Sequence, residues 1–313
     1  MKNDFKQYLK DLGKSKTTIE AYHYHVLNFI SFLDRDNTET ENCTEKEIML
    51  YLNELNKKEL SQQTKKLRLY PIKHYFDYLI ENKKITTNPA RRIKLKAKQQ
   101  QKIYPVLKIE ELQALHTNYQ TPTDRDSKSH HNWFKTYQLS RERNKIIISL
   151  LVNQGITTAE VGRIRLEDLD LRKGTIDIRG GKILKDRTLE LKSHQIIDLM
   201  EYQYQTRNKI LAYHKEPTDQ LFISLPTSSQ KNAGNSQKFD IFKKLAQELK
   251  ILEPKFIKIQ QIRNSVITHW LKQYNLRQVQ YRAGHKNIYS TEMYLINDIE
   301  DLQTEIDNFH PLG

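Results

Sequence analysis

A chain of 313 residues is long enough for about two domains, with buried cores that need no covalent staples. Its single cysteine, Cys43, excludes an intramolecular disulfide framework and a cysteine-built zinc site, and suits a reducing compartment. With 52 Lys and Arg against 38 Asp and Glu, the net charge of +14 favours a polyanionic partner, nucleic acid above all; a lysine-rich solvated surface has the same arithmetic. No apolar run approaches a membrane span, since the stretch from Ile146 to Val152 is short and interrupted by Ser149. The opening residues MKNDFKQYLKDLGKSK lack the apolar core of a signal peptide, so a cytoplasmic protein is expected.

In chain order, residues 15–34 place Ile19, Tyr22, Val26, Phe29 and Leu33 at spacings of three and four, one face of an amphipathic helix. Thr44 and Glu47 form a capping box that opens a helix through Leu55. Ser61 starts a third run carrying Leu67, Tyr70, Tyr75, Phe76 and Leu79, and Pro71 is expected to kink or break it. The basic residues Lys65, Lys66, Arg68 and Lys73 lie beside this apolar stripe. Between Lys83 and Lys102 there are 8 basic residues and no acidic one. This stretch contains Asn88-Pro89 and a Lys-Gln-Gln-Gln-Lys tract, which cannot bury a face. The reading is a helical domain over 1–90 and a basic linker over 91–106. In that linker Arg91, Arg92, Lys94, Lys96 and Lys98 either track a phosphate backbone or simply solvate a tether.

Beyond the linker, residues 107–117 and 141–154 read as helices separated by a long polar loop. Two short alternating runs, 175–179 and 187–191, flank Gly180-Gly181-Lys182-Ile183-Leu184-Lys185-Asp186, a β-hairpin with a basic, glycine-containing tip. Helical patterns return at 193–212, 237–250, 261–274, 276–283 and 290–308. The fold class is therefore mainly α with a small antiparallel β-sheet in a second domain, residues 107–313.

Residues 259–297 contain Arg263, then Gly284-His285, then Tyr294 nine residues after the histidine. This resembles the signature of the tyrosine recombinases, the phage-integrase family. The upstream stretch from Asn153 to Leu191 resembles the other block of that family, with Asp168, Lys182, Lys185 and Arg187 in place and one extra glycine before Lys182. The N-terminal helices, ending in Asn88-Pro89-Ala90, resemble its core-binding (SAM-like) domain. The resemblance covers nearly the whole chain and implies a two-domain clamp on DNA.

The resemblance also implies a chemistry. Tyr294 is the nucleophile that forms a 3′-phosphotyrosyl intermediate, Arg263 and His285 bind or polarise the phosphate, and Lys182 is the general acid. A fixed guanidinium suits the nonbridging oxygens of a pentacoordinate phosphate, and a phenol with an ordinary pKa near 10 needs help to ionise. No metal or cofactor is implied, because the phosphotyrosine stores the energy of the bond it replaces. Lys65, Lys66, Arg68, the linker cations, Lys185 and Arg187 are the expected DNA contacts. The implied partners are duplex DNA with paired inverted arms, a second copy on each site, a tetrameric synapse and in some systems accessory proteins. Integration, excision or transposition of a mobile element in the bacterial nucleoid is the implied setting.

Two positions depart from the family pattern. Thr157 stands where the first catalytic arginine belongs, and Gln260 where the first histidine of HxxR belongs. Thr157 has a local explanation, since with Glu160 it makes a capping box; Gln260 retains an amide donor. Either another arginine supplies the missing charge (Arg163 and Arg165 on the same expected helix, or Arg141 and Arg143 before it) or the chain is a degenerate, DNA-organising member. The tail after Tyr294 carries Leu295, Ile299, Leu302, Ile306 and Phe309 at near-helical spacing, an expected helix that docks on its own domain or on a neighbouring copy.

Overall fold

The computed structural model describes residues 2–96, 105–126, 128–225 and 237–295. The chain divides into two units, Met1–Lys102 and Ile103–Gly313.

The first unit is helical: α1 (Lys2–Asp11), α2 (Lys16–Arg35), α3 (Glu45–Lys57) and α4 (Gln62–Glu81). Ser15 and Ser61 cap α2 and α4 through their hydroxyls, and the Thr44–Glu47 capping box opens α3 as its sequence requires. Ile19, Val26, Phe29 and Leu33 of α2 meet Ile48, Leu52 and Leu55 of α3 and Ile72, Phe76 and Leu79 of α4 in one core. α1 adds Phe5 and Leu9, an i,i+4 pair too short to register as a periodic pattern.

Three expectations are corrected here. α4 runs through Pro71 without a break, Pro71 itself being buried. Leu67 and Tyr70 are exposed rather than part of the apolar stripe, which passes instead through Leu69, Ile72 and Phe76. The unit also does not end at residue 90. Ala90 and Ile93 are buried in its core, and Lys73 Nζ donates to Ile93 O at 2.7 Å. Asn88 ties this segment to α4, its amide donating to Lys73 O and Asp77 while its carbonyl receives Ala90 N–H.

The second unit begins against its own C-terminal half, with Leu107 N donating to Ser265 Oγ at 2.8 Å. α5 (Ile109–Thr117) packs on α6 (Phe134–Gln154), which starts seven residues before its apolar pattern does and shortens the expected loop. α7 (Thr158–Val161) is a single turn, followed by the antiparallel sheet of β1 (Leu169–Asp170), β2 (Thr175–Ile178) and β3 (Arg187–Glu190) in the order β1-β2-β3. The register pairs Ile176 with Leu189 and Ile178 with Arg187. Ile176, Ile178 and Leu189 point into the core, and by the two-residue period so does Arg187. α8 (Ser193–Glu201) continues through a π-turn (Tyr202–Thr206) into α9 (Arg207–Leu211). α10 (Gln237–Leu252), α11 (Ile259–Gln273) and α12 (Leu276–Ala283) complete the layer around Ile147, Leu150, Leu151, Ile262 and Ile267. Residues 289–295 are helical; the expected continuation to 308 lies outside the described residues.

Candidate active site

Two glycines in the left-handed region shape the site. Gly155 (φ +56°) ends α6, and its carbonyl receives a hydrogen bond from Arg263 Nη1 at 2.6 Å. Gly284 (φ +71°) ends α12 and turns the chain so that His285 enters the interior. A Cβ at Gly284 would stand 2.6 Å from Arg187 Nη1, so only glycine lets the turn lie against that guanidinium.

Arg263, His285 and Tyr294, distant in pattern but expected to act together, do meet. The second Arg263 nitrogen, Nη2, donates to Ala283 O at 2.7 Å and to His285 Nε2 at 3.3 Å. A guanidinium can only donate, so Nε2 is the acceptor and the imidazole proton sits on Nδ1, which donates to Thr291 Oγ1 at 2.9 Å. The His285 ring stacks on Tyr294 with centroids 5.7 Å apart and planes 17° from parallel. Burial, then the charges of Arg263 and Arg187, push the His285 pKa down to about 4 against the opposing pull of Glu160, so the ring is neutral at physiological pH. Burial also raises the Tyr294 phenol above its ordinary value, while the charge and hydrogen bond of Arg263 pull it back. At rest the tyrosine is protonated, with the guanidinium that favours its phenolate beside it.

Beneath this trio lies a buried ion network anchored on Glu160. Arg187 Nη1 donates to Glu160 Oε1 at 2.6 Å with both side chains fully enclosed, and Arg263 Nη1 lies 3.8 Å from Glu160 Oε2. Burial raises the Glu160 carboxyl, but the Arg187 bond, Thr157 N–H and the charge of Arg263 outweigh it and hold the group below its ordinary range. Arg187 Nε donates to Arg282 O at 2.7 Å, and its Nη2 is buried without a partner. The expected capping box is present: Thr157 N and Oγ1 donate to Glu160 Oε2 at 2.8 and 2.9 Å, and Glu160 N donates back to Thr157 Oγ1. Thr157 is therefore engaged in starting α7.

Lys182 is exposed on the β2–β3 loop, which is stitched to the histidine segment. Lys185 N donates to Gly284 O at 2.7 Å, and Leu184 bridges to His285. Gln260 is exposed on the first turn of α11, its amide on Asn264. Arg163 and Arg165 do not share a helix, because α7 ends at Val161. Arg165 is held by Asp219 at 3.1 Å, Arg141 by Gln120 O and Glu248, and Arg143 is buried on Ile223 O and Asn144.

Among the expected DNA contacts two are corrected. Arg187 is enclosed in the ion network, and Lys65 is buried with its ammonium on Asn56. Lys66 and Arg68 are half-buried, whereas Arg91, Arg92, Lys94, Lys96 and Lys185 are exposed. Lys98 lies outside the described residues. Sequence reasoning missed Glu160 as a charge partner and Thr291 as the histidine's orienting hydroxyl. The glutamate of the family block was the available signal for the first, and Thr291 had none.

A helical unit, and a helix-plus-hairpin unit that brings a tyrosine, a histidine and an arginine together beside a lysine-bearing loop, fit the pattern of a tyrosine recombinase. The model described as "Phage integrase family" matches residues 126–300, and that described as "Phage integrase, N-terminal SAM-like domain" matches residues 3–83. The chain belongs to the phage integrase family and is a tyrosine-type site-specific DNA recombinase. It is 26% identical to tyrosine recombinase XerC of Anoxybacillus flavithermus over 299 residues, covering 93% of this chain and 91% of that protein. It is likewise 26% identical to tyrosine recombinase XerD of Listeria innocua, covering 99% and 98% of the two chains. In fold it is similar to the XerH site-specific recombinase in its post-cleavage complex with palindromic difH substrate, with a TM-score of 0.65 at 21% identity over 92% of this chain and 78% of that one.

Proposed function

We propose that the chain cuts and rejoins duplex DNA with Tyr294 as nucleophile. The observation that carries this is the junction of Arg263 with the His285 Nε2 lone pair and the Tyr294 phenol, inside a buried network that fixes all three. Tyr294 Oη attacks the scissile phosphorus and gives up its proton to solvent. The new Oη–P bond replaces the P–O5′ bond, whose electron pair leaves on the 5′ oxygen and takes a proton from Lys182. Arg263 faces the nonbridging oxygens, and the neutral His285 presents its N–H to them once its ring turns and Nε2 gives up the Arg263 contact. Rejoining is the reverse step with a 5′-hydroxyl from the partner strand, so no external energy source is needed.

Exposed Arg91, Arg92, Lys94 and Lys96 are the cations best placed to meet phosphates, and each adds salt-dependent affinity. The solved recombinases of this fold include a lambda integrase dimer on a core site and a tetramer on a Holliday junction. We extend that arrangement to this chain: two copies on inverted arms, two such pairs in the synapse. Action on the nucleoid places it in the cytoplasm, and among the described residues no helix is long and apolar enough to cross a membrane.

The test is a library of nicked duplexes with randomised inverted arms, scored for covalent protein–DNA adduct on a denaturing gel. Adduct with the wild type and none with Tyr294→Phe is the expected result. Tight binding with no adduct from any duplex would overturn the catalytic reading in favour of a DNA-organising role, which the engagement of Thr157 in a helix cap would then explain.

A further inference from the structure

The cage around Arg263 lacks the charge that Thr157 does not provide, and the arginines nearby are mostly committed. Arg187 is bound to Glu160, Arg179 to Asp168 and Glu167, and Arg165 to Asp219. Arg141 and Arg143 are bonded to backbone carbonyls elsewhere, and Arg282 lies over the Tyr274 ring. Arg163 differs from all of them. It is exposed, and among the described residues its side chain has no hydrogen-bond or ion-pair partner.

Its guanidinium nevertheless sits beside the Lys182 loop. The guanidinium lies broadside against Gly181, where a Cβ would stand 2.9 Å from Nη1 and 3.5 Å from both Cζ and Nη2. Gly181 immediately precedes Lys182, and Lys286 Nζ donates to the carbonyls of both, at 3.0 and 3.1 Å. The same loop is tied to the histidine segment through Lys185 N, Gly284 O and the Leu184–His285 bridge. The nearest acid of the loop, Asp186, accepts from Gly180 N at 2.7 Å. An unpaired guanidinium, the Lys182 loop and the His285 turn thus form one positively charged rim. A Cβ at Gly180 would meet Leu184 O at 2.3 Å, which accounts for that glycine, whereas one at Gly181 would meet only the far end of the Arg163 side chain, which can move aside.

We infer that Arg163 supplies to the scissile phosphate the positive charge missing at Thr157, from the far side of the Lys182 loop. A planar fork with all its donors free is suited to two nonbridging phosphate oxygens. The inference rests on the recombinase reading above and assigns that site a second guanidinium from a different position in the chain.

The test uses a nicked duplex that the full-length wild type cleaves, with single-turnover adduct formation and duplex affinity measured side by side. Arg163→Ala is expected to slow adduct formation by about 10²–10³-fold, the range for removing one donor to a developing phosphate charge, while affinity stays within about threefold. Adding Thr157→Arg to Arg163→Ala is expected to recover at least tenfold, a rescue that a merely structural role for Arg163 does not predict. Arg165→Ala, outside the rim, should cleave within threefold of wild type. An Arg163→Ala chain cleaving within threefold of wild type overturns the inference and leaves the recombinase reading standing. A wild type that forms no adduct while Thr157→Arg does overturns it too, since Arg163 then fails to replace the lost charge. If neither forms adduct, the catalytic reading fails, and the inference with it.

Discussion

Glu160→Gln isolates the buried network, because it removes one charge and almost no volume. In the wild type, one carboxylate faces Arg187 at 2.6 Å and Arg263 at 3.8 Å, and Arg187 already has one nitrogen without a partner. The amide introduced by the substitution keeps a carbonyl that can accept from Thr157, so the helix cap largely survives, but two enclosed guanidinium groups lose their counter-ion. Removing one member of a buried pair typically costs about 3–5 kcal/mol, a large share of the about 5–15 kcal/mol that stabilises a domain. The assay is urea unfolding followed by tryptophan fluorescence. Both tryptophans, Trp133 and Trp270, lie in the second unit, so the signal reports that unit alone. Pairing Glu160→Gln with Arg187→Met should recover at least about 2 kcal/mol, since the orphaned charge leaves with its partner. A loss below about 1 kcal/mol for Glu160→Gln, or strict additivity of the two changes, refutes the claim that the network balances charge.

Three further outcomes follow from the same structure. A folded His285 pKa of about 4 lies below the unfolded value of 6.5, so the unfolded chain takes up the proton first. Stability is whole above pH 6.5 and lost as pH falls toward 4, by about 2 kcal/mol between pH 7 and 5, and this increment should vanish from urea titrations of His285→Gln. In the first unit, Arg92→Ala should lower the slope of log affinity against log salt on non-specific duplex by about 1, measured by fluorescence anisotropy. Lys65→Ala should leave that slope unchanged and instead destabilise the unit by about 1–2 kcal/mol, read by far-UV circular dichroism.

Much of this architecture was legible in the residues because its signals are local. The Thr44–Glu47 and Thr157–Glu160 boxes act within one helical turn and the α2 stripe repeats from turn to turn, and each is present. The convergence of Arg263, His285 and Tyr294 was legible only through a family pattern. What stayed hidden was burial of charge. Lys65 and Arg187 look like any surface cation in composition, yet one lies against Asn56 and the other pairs with a glutamate 27 positions away. For Arg187 a trace did exist: with Leu189 and Leu191 it occupies alternate positions of one strand face. α7, at four residues, was too short to carry Arg163 and Arg165 on one helix.

The Thr157 cap has a consequence for how this sequence can change. Its hydroxyl both donates to Glu160 and accepts from the Glu160 amide, and an arginine there would forfeit both contacts. Loss of such an N-cap costs about 1 kcal/mol, and the incoming side chain would add a third guanidinium around a single carboxylate. Arginine at position 157 is therefore uphill in stability before any gain in rate is felt. The cap thus sets a stability cost against placing phosphate-binding charge at position 157 and makes surface positions outside the cap the cheaper places for it.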